Sequence, residues 1–245
     1  VLDPPSALRL IDPEEVYGHI IESIRHLKQE LKVPLLGFAG APFTVASYLI
    51  EGKTSRDLKK TKQWLFRNPD SFKRLLAKIT EATINYLDCQ IKAGVDAIQI
   101  FDSWANALAL EEFRMYCLEP MQTIVESVQK KGVPVIVFCR NSCLFAQELA
   151  RLSPAAISLD WSGDLPYLRK TLPQSIALQG NLDPMVLYAS REYIQRKVDR
   201  LLDQMQNDPG YIFNLGHGLL PDTPVENVQF LVDYVRHRSY SFTQA

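Results

Sequence analysis

Apolar positions along the 245-residue chain fall into two patterns. Six short, near-continuous apolar runs read as buried strands of a parallel sheet: 33–40 (VPLLGFAG), 96–103 (DAIQIFDS), 133–139 (VPVIVFC), 155–161 (AAISLDW), 175–181 (SIALQGN) and 211–218 (YIFNLGHG). Between them apolar residues recur at helical spacing. Val16, Ile20, Ile24, Leu27 and Leu31 form one stripe, opened by the N-cap Asp12, Pro13 at the first helical position and a capping glutamate. A second helix is expected from about Asp70 to Ala93, with Phe72, Leu75, Ile79, Tyr86 and Leu87 inward and Gly94 as terminator. Further helices are expected near 111–131, 143–152, 191–206 and 224–237, the last opened by Thr223, Pro224 and Glu226. The segment 52–69 reads as a long basic connection that could cover a site or contact a partner.

Strands alternating with helices fit either a doubly wound sheet or a (β/α)8 barrel. Polar or turn-forming residues stand at the C-terminal end of nearly every run: Gly40, Asp102, Ser103, Arg140, Asp160, Asn181 and His217. A site drawn from many strand ends favours the barrel, since an open sheet gathers its site at one switch point. The expected fold is therefore α/β, a TIM barrel forming a single domain over 1–245. A closed barrel has eight strands and six are counted, so the first two β units are expected to be missing from this chain, which begins at Val1 rather than methionine.

Composition narrows the function. A net charge of −1, with Lys and Arg spread among Asp and Glu, argues against a nucleic-acid footprint. No apolar run reaches the ~18 residues of a membrane span, and four scattered cysteines point to a reducing compartment, the cytoplasm. There is no GxGxxG after a strand, no P-loop and no GxSxG elbow. Cys139 and Cys143 are four apart but have no histidine nearby, so buried structural thiols are favoured over a metal site. His217, between Gly216 and Gly218 at a strand end, is the strongest single candidate for function. Asp102 reads equally as a helix cap or a site residue, and Arg140 as a carboxylate clamp. Trp104 and Trp161 read as core aromatics, and Asp160 and Asn181 as caps or ligands.

Four segments, in order, resemble the uroporphyrinogen decarboxylase family: GFAGAPFTVASYLIEG (37–52), IQIFDSWA (98–105), IALQGNLDP (176–184) and NLGHGLLPDTPVENV (214–228). The resemblance implies a (β/α)8 barrel, usually a homodimer. It implies decarboxylation of the four acetate side chains of uroporphyrinogen to give coproporphyrinogen, without metal or organic cofactor. By the same resemblance Tyr48, Ser103 and His217 contact the substrate; apart from the resemblance, Phe38, Asp102 and Arg140 are further candidates. The family's arginine-rich signature and its aspartate against the pyrrole nitrogens have no counterpart before Pro34, so the catalytic residue is unassigned and the chain as given is expected to lack decarboxylase activity. CRNSC (139–143) also departs from the small, glycine-rich residues that the family has there. Two rivals remain. One is a zinc-dependent corrinoid or thiol methyltransferase of the same superfamily, which needs a His-x-Cys where this chain has Phe138-Cys139-Arg140. The other is a non-catalytic binding protein.

Overall fold

A computed structural model describes residues 8–53, 55 and 57–242. Its first helix, α1 (Pro13–Glu30), begins as its sequence dictates, with the Asp12 carboxylate accepting the Glu14 N–H at 2.9 Å. The chain continues as β1 (Leu36–Gly40), α2 (Pro42–Glu51), α3 (Lys59–Arg67), α4 (Pro69–Ala93), β2 (Ala97–Asp102) and α5 (Leu110–Phe113). A π turn (Arg114–Leu118) runs straight into α6 (Glu119–Gln129), followed by β3 (Val135–Cys139), α7 (Ser142–Ala150), β4 (Ala156–Ser158), α8 (Leu165–Thr171) and β5 (Ala177–Leu182). A 3-10 turn (Pro184–Tyr188), α9 (Arg191–Met205), β6 (Tyr211–Leu215) and α10 (Val225–Phe242) complete it.

By internal contacts these elements divide into two units: residues up to Arg140 with Arg151–Ala156, and Asn141–Ala150 with the residues from Ile157 onward. In the first, β1, β2 and β3 lie side by side in parallel, with Gly40 opposite Phe101 and Phe101 opposite Phe138. In the second, β5 pairs with β6 in parallel, Asn181 opposite Asn214. The strand–helix alternation expected from sequence is present.

The strands are not equally buried. All five residues of β3 and all three of β4 are buried, as near-continuous apolar runs predict. The end strands alternate instead. On β1, Gly37 and Ala39 face inward while Leu36 and Phe38 are exposed, and Ile212 and Asn214 on β6 are exposed in the same way. Each is covered on one face only, so the run-on apolar character of these two segments overstates their burial.

Three elements depart from the sequence reading. α2 is absent from the helices expected from sequence: Pro42 occupies its first position, where the missing N–H has no intrahelical partner to lose. The supposed connection 52–69 contains α3, whose Thr61 and Leu65 are buried. The carboxylate of Glu51, at the end of α2, accepts both the backbone N–H and the hydroxyl of Thr61 at 2.9 Å, capping the first turn of α3. The expected helix 111–131 is interrupted by the π turn just before Pro120, a residue that cannot donate to the preceding turn. The short α8 is a further addition, capped by Asp164 through the Tyr167 N–H.

The first unit's core centres on Phe72 of α4, which meets Phe43, Trp64 and Tyr116 edge-on at centroid distances of 6.4, 6.2 and 5.3 Å and so joins α2, α3 and the π turn. In the second, Leu187, Ile194 and Val198 anchor α9 against β5, β6 and α10. Arg169 is buried there without being a surface charge gone astray. Its guanidinium donates to the carbonyls of Leu172, Pro173 and Ile176, which follow or end α8, and pairs with Asp208 at 3.5 Å.

Candidate active site

In the first unit the chemistry-bearing side chains cluster where β1, β2 and β3 end. Tyr48 rides on α2 with 48 % of its surface exposed, and its ring meets Trp104 edge-on at 6.2 Å. Trp104 lies two residues beyond β2 and is half-buried. Over its ring lies the Arg140 guanidinium, 5.6 Å from the centroid, at the end of β3. Ser103 is half-buried between Asp102 and Trp104 in sequence. Phe38, 61 % exposed, stands edge-on to Phe101 at 6.1 Å, and Phe101 to Phe138 at 5.9 Å, an aromatic row across three strands. Trp104 is thus less a core aromatic than a platform shared by a phenol and a cation.

Asp102 differs from these. It has no exposed surface, which places it beneath the cluster rather than at its face. Thr44, on the first turn of α2, donates its hydroxyl to Asp102 Oδ1 at 2.6 Å, while the same hydroxyl accepts the Trp104 N–H at 3.1 Å. Ala41, at the N-cap of α2, offers no side-chain oxygen, so Asp102 supplies from another element the acceptor that this helix start lacks. Burial pushes the carboxyl up to about 6, against the pull of bonds from Thr44 and Cys117. Cys117 is itself pushed well up by burial and then by the Asp102 charge.

In the second unit His217 follows β6, half-buried, with its ring 6.5 Å from that of Trp161 in an edge contact. Trp161 is 48 % exposed, so the reading of it as a core residue fails: β4 ends at Ser158 and leaves it beyond the strand. Gly216 is required by close approach, since a Cβ there would stand 2.7 Å from the Trp161 nitrogen; beside Gly218 nothing lies within 4 Å. Beneath them Asp160 and Asn181 are buried and neither caps a helix. The Asp160 carboxylate accepts the Ser162 hydroxyl at 2.5 Å and its N–H at 3.2 Å, and the Asn181 amide donates to the carbonyls of Asp160 and Gly163. The Cys143 thiol donates to the Asp160 carbonyl at 3.1 Å, and burial pushes it up to about 12. Cys139 has no exposed surface. Among the described residues no group of three or more His, Cys, Asp or Glu side chains is arranged to hold a metal ion.

Thr44 escaped the sequence reading altogether. Its signal lay in plain view: a hydroxyl two residues after an N1 proline, with no capping residue before it.

Parallel strands alternating with helices define an α/β protein of the barrel type. The sequence model of the uroporphyrinogen decarboxylase family matches residues 2–238, and the chain belongs to that family, whose fold is the TIM barrel. A uroporphyrinogen decarboxylase of Protochlamydia amoebophila is 50 % identical over 94 % of the chain, and that of Carboxydothermus hydrogenoformans is 42 % identical over 95 %. The chain spans 64 % and 67 % of their respective lengths. Among solved structures, a methyltransferase from Methanosarcina mazei superposes on 97 % of the chain with a TM-score of 0.83, covering 70 % of that protein. At 21 % identity this likeness shows the fold alone. Among the described residues no helix is long and apolar enough to cross a membrane.

Proposed function

We propose that the protein is a uroporphyrinogen decarboxylase, a carboxy-lyase that removes the four acetate carboxylates of uroporphyrinogen to give coproporphyrinogen in porphyrin synthesis. The observation that carries this reading is the family match over residues 2–238. Loss of CO2 from an acetate beside an electron-rich pyrrole needs a place for the electron pair. Protonating the ring carbon first creates a cationic sink, and an anion against the ring nitrogens stabilises it. The resemblance assigns that anion to no residue of this chain.

The residues present act on the substrate's periphery. Ser103 and His217 donate to its carboxylates, Tyr48 orients a carboxylate through its phenol, and the exposed Phe38 offers an apolar face to a pyrrole. Arg140, steadied on Trp104, is a fixed cation suited to one of the substrate's many carboxylates. By the same family reading the protein works as a homodimer in the cytoplasm, with no nucleic acid or membrane as partner and no cofactor.

The test is substrate affinity in the protein expressed from its complete gene. Tyr48→Phe, Ser103→Ala and His217→Asn should each raise KM for uroporphyrinogen about tenfold, the equivalent of one charge-assisted hydrogen bond. Parental KM in all three would contradict the assignment.

A further inference from the structure

Asp102 joins two segments that the proposed function uses separately. Its carboxylate accepts from Thr44 on α2, the helix that carries Tyr48, and Thr44 in turn accepts from the backbone of Trp104, next to Ser103. We propose that Asp102 is the positioning residue of this site, an ionisable lock whose charged form fixes the Tyr48 helix to the Ser103–Trp104 turn. The proposal rests on the functional reading above for its purpose but not for its geometry.

Three observations support a lock that depends on charge. The carboxylate sits at the N-terminal turn of the ten-residue α2, where the helix dipole favours a negative group. The Thr44 hydroxyl donates to it at 2.6 Å, a bond that is charge-assisted only while the carboxyl is ionised. Its Oδ2 is buried without a hydrogen-bond partner of good geometry, so a proton placed there gains nothing in exchange for the lost charge. The other titratable groups around it do not compete. Cys117, from the π turn, is held neutral by its raised pKa; Cys139 of β3 is a buried thiol opposite Asp102 in the strand register; and the Arg140 guanidinium lies over the Trp104 ring. Burial brings the carboxyl to about 6, within reach of a mild acid titration.

Such a lock acts through Thr44 rather than on the substrate. Once Asp102 takes up a proton, its charge-assisted bond from Thr44 becomes a weaker neutral one, so the tie between α2 and the β2 turn slackens and Tyr48 and Trp104 hold one another's position less firmly. An acid limb in substrate affinity therefore reports Asp102, although Asp102 cannot touch the substrate.

The chain labelled with 5-fluorotryptophan tests this directly, the Trp104 fluorine resonance being assigned by its loss in Trp104→Phe. Between pH 4.5 and 8 that resonance should follow one proton with a midpoint near 6, and in Asp102→Asn it should stay flat. A flat Trp104 resonance in the parent, or the same titration in Asp102→Asn, would overturn the lock. In a second arm, run in the protein expressed from its complete gene, Thr44→Val should weaken uroporphyrinogen binding about tenfold, while Thr44→Ser, which keeps the hydroxyl, stays within about twofold; equal affinity for Thr44→Val and parent overturns the proposal. If Thr44→Val does not fold, the fluorine titration decides alone. Failure of the parent to bind the porphyrinogen at all counts against the functional reading, and the fluorine titration then still decides the lock.

Discussion

Gln90 of α4 closes both main-chain hydrogen bonds of Phe38 on β1. Its Nε2 donates to the Phe38 carbonyl and its Oε1 accepts the Phe38 N–H, each at 2.9 Å. At this one residue a side-chain amide does the work of a neighbouring strand. Gly37 makes room for it, since a Cβ there would stand 2.5 Å from Gln90 Oε1. Gln90→Leu, similar in size, should therefore lower the unfolding free energy by ~1–3 kcal/mol, and Gln90→Glu should lose at least as much at neutral pH, because its buried carboxylate opposes the Phe38 carbonyl. Urea unfolding of the purified chain measures both; an unchanged midpoint for Gln90→Leu would show that the pairing is incidental.

Arg169→Met should cost more. It leaves three carbonyls without their donor and Asp208 buried without its cation, and removing one partner of such a buried pair costs ~3–5 kcal/mol. Thermal unfolding followed by circular dichroism should show the loss, and Asp208→Asn should recover part of the stability in the Arg169→Met background, because the remaining charge is gone.

The sequence made β3 plain, because five consecutive apolar residues between turn signals have few other uses, and α4 likewise, with Gly94 ending it in a left-handed conformation at φ 106°. What it concealed was non-local. Pro42 reads as a breaker because prolines end helices as readily as they start them, and only the structure shows which side of it is helical. The lysines of α3 hide an amphipathic helix whose cap, Glu51, comes from the helix before it. The Asp102 carboxylate could be read as a cap, but of the helix that follows it. In fact it serves α2, 58 residues earlier in the chain through Thr44. Ser103 and Arg140 could be nominated from their positions after strands and Tyr48 from the family resemblance, whereas Trp104 read as a core aromatic, and the ring contacts that join Tyr48 and Arg140 through it depend on tertiary packing.

The thiols should be inert in the folded protein. Cys143 is pushed up to about 12, so at pH 8 roughly one molecule in ten thousand carries its thiolate, and Cys117 and Cys89 are raised as well. Ellman's reagent at pH 8 should titrate these three only as the protein unfolds. Rapid native labelling of Cys143 would mean that its contact with the Asp160 carbonyl does not hold in solution.

Asp102 also predicts how stability varies with pH. Its carboxyl lies at about 6 in the folded chain against the ordinary value of 3.8, so between those values the folded state binds the proton and the unfolded state does not. The stability it contributes is present in full below 3.8 and is lost as pH rises through about 6. Asn at this position carries no charge to bury and still accepts from Thr44. Asp102→Asn should thus match the parent near pH 4 and exceed it by ~2–3 kcal/mol at pH 8, measured by urea unfolding across that range. A difference that does not change with pH would remove the buried carboxylate from the account.

The most direct measurement is the product of the reaction itself. The protein expressed from its complete gene is incubated anaerobically with uroporphyrinogen III, the mixture is oxidised, and the porphyrins are separated by their number of carboxyl groups. The account predicts loss of the octacarboxylate and appearance of hepta-, hexa- and pentacarboxylates on the way to the tetracarboxylate, with the whole series slowed in His217→Asn. An octacarboxylate that remains unchanged would contradict it.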